Sequence, residues 1–295
     1  MTGRSSHEPV RNVAPDTSKP CAGQLFFVSV AFGQAIEPGF DSNTLAGNDD
    51  GSAGPVSLGF TIDFFGVSRN QLWVNNNGNV TFDAALSSFT PFDLTSTSQE
   101  IIAPFFADVD TSSAGDPVTY GTGTFDGRPA FGVNWVNVDY FNSNPSHTNR
   151  NSFQLILVDR SDVGAGAFDI VFNYDQIQWE AGTASGGSSD GLGGSSARAG
   201  YSNGTGDPGT AFELPGSAVN GAFLDGGPNA LVSNRLNNDI NGRYIMQSRG
   251  GAIDPGQPEP SGAISIPVNS GWMLALLGIL LTLLAFGVTR NRGNA

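Results

Sequence analysis

An all-β fold is predicted: a single antiparallel β-sandwich-type domain followed by one C-terminal transmembrane helix. Three observations predict it. Short runs rich in Phe, Val, Ile and Trp recur between Asn- and Gly-rich turn signals. No long helical periodicity precedes the last stretch of the chain. That stretch, Gly271–Val288, carries no charge and is followed by Arg290 and Arg292.

Residues 1–35 read as a leader or signal peptide. Lys19 precedes an apolar run from Leu25 to Phe32, and the small residues Gly33 and Ala35 stand where a signal peptidase reads. The alternative for that run is a buried first strand. The body spans residues 36–251. LGFTIDFFG opens its strand series; LWV and VTFD follow, separated by Asn75–Asn79, NNNGN. Asn and Gly tolerate the positive φ of a hairpin turn. IIAPFFADVD comes next, then VTYGTGTF and PAFGVNWVNVDYF on either side of Asp126-Gly127, a second hairpin signal.

In that last run Phe131, Val133 and Trp135 share one face, whereas Val136, Val138 and Tyr140 share the other. A period of two cannot switch faces without an extra residue, so a bulge is expected near Trp135. SFQLILVD and FDIVFNYDQIQWE are two further strands joined by RSDVGAGA. In the second, Phe168, Ile170, Phe172 and Tyr174 alternate with Asp169, Val171 and Asn173, the pattern of a half-buried antiparallel strand. Arg198–Tyr201 is expected as a short strand, and GRYIMQSRG as the final one. Residues 252–270 read as a Pro-, Gly- and Ser-rich stalk.

The terminal run fits a membrane span. Its 18 residues at ~1.5 Å each give a helix of roughly 27 Å, near the thickness of a bilayer core. It shows neither the caps nor the polar stripe that a buried core helix would need. The basic tail, residues 289–295, marks the cytoplasmic side. The body is therefore expected outside the cytoplasm.

Composition narrows the function. Between Ile36 and Thr289 there are 25 Asp and Glu, 8 Arg and no Lys, a formal charge of −17. Such a surface repels nucleic acid and attracts divalent cations. The single cysteine, Cys21, lies in the leader, so the body has no disulfide, thiolate nucleophile or cysteine metal site. The body's one histidine, His147, stands in NSNPSHTNR, a polar loop signature, and is expected to be solvated. Ser-His-Asp chemistry and a multi-histidine zinc centre lack their residues, and a phosphate-binding loop lacks its lysine. A carboxylate pair of the glycosidase type is not excluded by composition.

Leu58–Gly66, VNNNGNVTFD, FTPFDL, IIAPFFADVDT, FGVNWVNVDYF, NSFQLILVDRSD and FNYDQIQWEAG resemble, in order, the nidogen-like (NIDO) domain, from about Asn48 to Arg249. The resemblance implies an extracellular, matrix- or adhesion-type module with no known catalytic centre. Ile266-Pro267, then Trp272, the span, Arg290 and Arg292 resemble the IPTL-CTERM sorting signal, a relative of PEP-CTERM. Val268-Asn269-Ser270-Gly271 departs from that family's usual Thr-Leu-Ser-Glu. This likeness implies cutting near Pro267 by an exosortase-type sorting protease; an ordinary single-pass anchor is the alternative.

Asp108 and Asp110, in ADVDT, alternate along a strand end, which places both carboxylates on one side. With Thr111 and backbone carbonyls they form a candidate calcium site, since Ca²⁺ takes six to eight oxygens. Asp49 and Asp50, in GNDDGS, make a further acidic turn. Turn capping by the same side chains is the competing reading. Trp179-Glu180 has the make-up of a sugar-binding pair, although a tryptophan closing the core at a strand end is the stronger expectation. Arg160 is expected to pair with Asp159 or Asp162. The expected role is a non-enzymatic, exported module displayed at a bacterial cell surface, for cell-matrix adhesion or extracellular matrix and biofilm assembly. Its partner would be a matrix protein or polysaccharide, with the membrane engaged through the C-terminal helix. An envelope carbohydrate-binding module is the alternative, ahead of a glycosidase.

Overall fold

Thirteen strands form among the described residues of the computed structural model, residues 35–143 and 146–256. They are β1 (Asn43–Thr44), β2 (Ser52–Phe64), β3 (Val67–Asn75), β4 (Asn79–Thr81), β5 (Glu100–Phe106), β6 (Thr119–Phe125) and β7 (Arg128–Val138). β8 (Asn151–Asp159), β9 (Phe168–Gln176), β10 (Arg198–Asn203), β11 (Ala211–Glu213), β12 (Arg243–Arg249) and β13 (Ala252–Asp254) complete the series. The strands build two antiparallel sheets. One runs β1-β6-β7-β8-β9-β12-β13 and the other β11-β10-β5-β4-β3-β2. The predicted all-β, two-sheet architecture is present. Among the described residues no helix is long and apolar enough to cross a membrane. The leader before Ala35, the span, and the sorting residues Ile266, Pro267, Trp272, Arg290 and Arg292 lie outside the described residues.

The core lies between the sheets. Leu58, Ile62, Phe64, Leu72 and Val74 meet Phe131, Val133, Trp135, Leu155, Leu157, Ile170 and Phe172, all of them buried. Each such side chain contributes about 1.5–3 kcal/mol by leaving water. Trp135 stacks on Phe153 at 5.3 Å and donates its indole N–H to the Asn76 carbonyl at 2.9 Å.

The hairpins fall where turn chemistry places them. Asp126 and Gly127 both take positive φ, 48° and 75°, and link β6 to β7 in register. The expected bulge in β7 lies between Trp135 and Val138. It turns Val136 outward, puts Asn137 at φ 56°, and returns Val138 and Tyr140 to the core. One boundary and one burial pattern differ from the sequence reading. Ala252–Asp254 pairs with β12 as β13, which carries the body into the stretch read as stalk. And β9 is not half-buried: both of its faces are covered from Phe168 to Tyr174.

The second difference has a definite cause. Residues 35–40 lie across the outer face of the seven-stranded sheet. Phe40 packs there with Phe125, Ala130, Ile156, Val158 and Val171. Arg243 donates to the Ala35 carbonyl at 2.7 Å and to Glu37, while Asn134 and Gln154 hold the backbone of Gly39, Phe40 and Glu37. A sheet face that alternation alone marks as solvent-facing is thereby roofed. Phe40→Leu is expected to lower stability by about 1–2 kcal/mol through the partly emptied cavity, measured by urea unfolding. An unchanged midpoint would show that this strap carries no stability.

Candidate functional site

The NNNGN turn between β3 and β4 organises one end of the sandwich. Asn75, Asn76, Asn77 and Asn79 are all fully buried, although a three-residue hairpin connection needs only one or two such residues. Their amides are spent on neighbouring segments. The Asn76 side-chain amide donates to the carbonyls of Asn48, Asp49 and Val109, at 3.2, 2.5 and 2.6 Å. Asn77 donates to Asp50 Oδ1 at 2.8 Å and to the Ser88 carbonyl, and its own oxygen accepts the Val109 N–H at 2.9 Å. The turn thus fastens the 48–50 segment before β2 to the 107–109 segment after β5. Sequence reasoning took the asparagines as turn formers only. Their excess over what a turn requires was the available signal.

That scaffold brings Asp49, Asp50 and Asp108 together, with one carboxylate oxygen from each inside 4.8 Å of the others. Asp108 is 1% exposed. Its carboxylate occupies the space that a side chain at Gly182 would need, and it accepts a long hydrogen bond, 3.4 Å, from the Ser185 hydroxyl. Asp49 Oδ1 is buried and has no hydrogen-bond partner. Among the described residues none of the three carboxylates forms an ion pair with an arginine. Asp110 stands outside the trio. Its Oδ1 caps the Ser112 N–H at 2.7 Å, and its charge still reaches Asp49. Thr111 turns its hydroxyl to the Asn48 carbonyl, 2.9 Å, and so braces the loop.

Crowding like charges in partial burial makes ionisation costly. Burial first, then Asp50 and Asp110, raises the Asp49 carboxyl to about 6. Burial, then Asp49 and Asp50, raises Asp108 to about 7, partly offset by hydrogen bonding from Ser185. Below about pH 7 the corner favours a proton or a bound cation. The donor set is all oxygen and carries up to three negative charges, which suits a hard divalent cation such as Ca²⁺. The orphaned, buried Asp49 oxygen fits the same group.

These shifts set a pH dependence for the cation-free protein. Between about pH 4 and pH 7 the folded chain holds protons that the unfolded chain, with carboxyls near 4, has already released. The contribution of Asp49 and Asp108 to stability is therefore full below about pH 4 and lost as pH rises through 7. In chelator, the melting temperature of the wild type is expected to fall across that window relative to Asp108→Asn. Parallel pH profiles would contradict the assignment.

A second charged group lies nearby. His147, expected to be solvated, is instead largely covered: its Nε2 lies 2.7 Å from Asp139 Oδ1 and its ring 4.8 Å from that of Tyr140. Asp139 is buried and is also held by Arg150 Nη1 at 3.0 Å. The loop carrying His147 folds back onto the β7 end because a buried aspartate there requires donors. Trp179 and Glu180 are fully buried. The tryptophan closes the core, with its indole N–H on the Val138 carbonyl at 3.3 Å. Glu180 accepts the Gly221 and Phe223 N–H groups at 2.6 and 2.7 Å, so neither side chain reaches a sugar from solution. Arg160 pairs with Asp162, as expected, and also with Asp169.

Comparison with known proteins accords with this architecture. The pattern of the nidogen-like domain family matches residues 70–249. Alpha-tectorin of Mus musculus is 36% identical over 231 residues, covering 70% of this chain and 10% of the relative. The Homo sapiens and Gallus gallus alpha-tectorins are 35% and 32% identical over the same length. The chain thus spans about a tenth of the length of these curated relatives. No solved structure gives a significant match. The matched residues run from β3 through β12 and take in the NNNGN turn and Asp108. This chain belongs to the nidogen-like domain family.

Proposed function

We propose that the chain is an exported, non-enzymatic module displayed at a bacterial cell surface. It serves cell-matrix adhesion or the assembly of extracellular matrix and biofilm. The supporting observation is the family match across residues 70–249, which covers most of the sandwich. The apolar run Gly271–Val288, with its basic tail, supplies the anchor, and the Ile266-Pro267 region the point at which a sorting protease releases or transfers the body. Ca²⁺ at Asp49, Asp50 and Asp108 joins the loops that the buried asparagines bring together, with Asp110 adding negative charge. Extracellular calcium would then keep the corner ionised and closed.

Protease treatment of intact cells tests the reading. The folded body is expected to be accessible from outside, and cells lacking the chain are expected to lose adhesion to their matrix. Full-length chain confined to the cytosol with residues 1–35 attached would overturn it.

A further inference from the structure

The sandwich is not closed where β2, the edge of one sheet, faces β1 and β6 of the other. A cleft of about 270 Å³ lies there, lined among others by Ser42, Asn43, Ser57, Tyr120, Thr122 and Phe131. No charged side chain lines it, on a body with a formal charge of −17. Phe131 is buried and forms the floor, and the Tyr120 ring lies beside it with centroids 6.4 Å apart. The rim is hydroxyl and amide. Asn43 is held by its donation to Ser42 Oγ at 3.2 Å and to the Tyr120 carbonyl at 3.3 Å. Ser57 Oγ accepts the Gly59 N–H at 3.2 Å. The hydroxyls of Tyr120 and Thr122 have no protein partner among the described residues.

We infer that this cleft is a subsite for a neutral saccharide. Hydroxyl and amide groups both donate and accept, which matches the alternating demands of sugar hydroxyls. The Tyr120 ring is partly buried beside Phe131 and leaves little apolar surface in the cleft, so recognition rests on the polar rim. An anionic sugar would meet a body of like charge with no cation in the cleft to offset it. The volume is below the roughly 300–1,000 Å³ of sites that enclose a drug-sized ligand. One ring of a polysaccharide would therefore enter, with the chain continuing outside. Affinity per site is expected in the millimolar range, raised when many copies on one cell engage one polymer. This inference rests on the matrix reading and names its partner class as polysaccharide.

The test is titration of the ¹⁵N-labelled protein with laminarihexaose, cellohexaose and maltoheptaose, with oligogalacturonate as the anionic control. At least one neutral oligosaccharide is expected to shift the Tyr120–Thr122 amides saturably. Tyr120→Ala should weaken that binding about tenfold or more, a loss of about 1.4 kcal/mol. Thr122→Val, at an exposed position, removes the hydroxyl while leaving the core untouched and is expected to weaken it severalfold. No shift with any neutral oligosaccharide up to about 10 mM, or unchanged binding by a folded Thr122→Val protein, would overturn the inference. Neither result bears on surface exposure, which the protease experiment decides separately.

Discussion

Gly78→Ala is expected to lower stability by about 2–5 kcal/mol, the sum of a left-handed backbone penalty and an overpacking cost. Gly78 sits at φ 70° in the turn from β3 to β4. An alanine methyl there would fall inside the carbonyl oxygen of Phe105 and 3.4 Å from the Phe153 ring. The Phe105 N–H donates back to the Gly78 carbonyl at 3.2 Å, so the two backbones cannot separate without losing that bond. Relief would displace β5 and with it the Phe105 and Phe153 rings, 5.2 Å apart in the core. A melting-temperature drop of roughly 10 °C follows. A shift below about 3 °C would mean that the turn relaxes freely and does not clamp the sheet.

Asn76→Ala is the second large effect. The substitution leaves the Asn48, Asp49 and Val109 carbonyls without their shared side-chain donor, and the Thr111 hydroxyl without its 3.0 Å contact to Asn76 Oδ1. An unsatisfied buried polar group costs about 1–3 kcal/mol. Thr111 Oγ1 also donates to the Asn48 carbonyl, which softens part of the loss. A net loss of about 3–4 kcal/mol is expected, read from chemical denaturation. The same variant removes the bond that fixes the Asp49 carbonyl and so loosens Asp49 beside Asp108, while Asn77 still holds Asp50 and Thr111 still holds Asn48. Its melting temperature should respond less to Ca²⁺ than that of the wild type. A variant that is destabilised but keeps the full calcium response would separate the scaffold from the corner and contradict this account.

What the sequence made legible, and what it did not, follows the range of the forces involved. Turn and strand chemistry is local. Asp126-Gly127, the NNNGN hairpin and the β7 bulge were all readable from side-chain period and turn residues. Contacts between distant segments leave no periodic trace. The strap at residues 35–40 covers β9 from more than a hundred residues away, and alternation in β9 gives no hint of it. His147 shows the same limit. A polar loop predicts solvation, and only the placement of Asp139 at the bulge explains why the ring is held. For the acid corner, ADVDT pointed to Asp108 and GNDDGS to Asp49 and Asp50, yet their convergence depends on long-range bonds from asparagines that resemble ordinary turn residues. Asp110 was paired with Asp108 on strand alternation; past the end of β5 its carboxylate caps Ser112 instead.

The most direct test is calorimetric titration of the chelator-stripped protein with CaCl₂ at pH 7.5, alongside Asp108→Asn under the same conditions. The wild type is expected to give a saturable, near-stoichiometric binding heat and a raised melting temperature. Asp108→Asn, folded and otherwise similar, should lose most of that heat. No heat and no change in melting temperature at millimolar Ca²⁺ in the wild type would contradict the assignment of Asp49, Asp50 and Asp108 as a cation site.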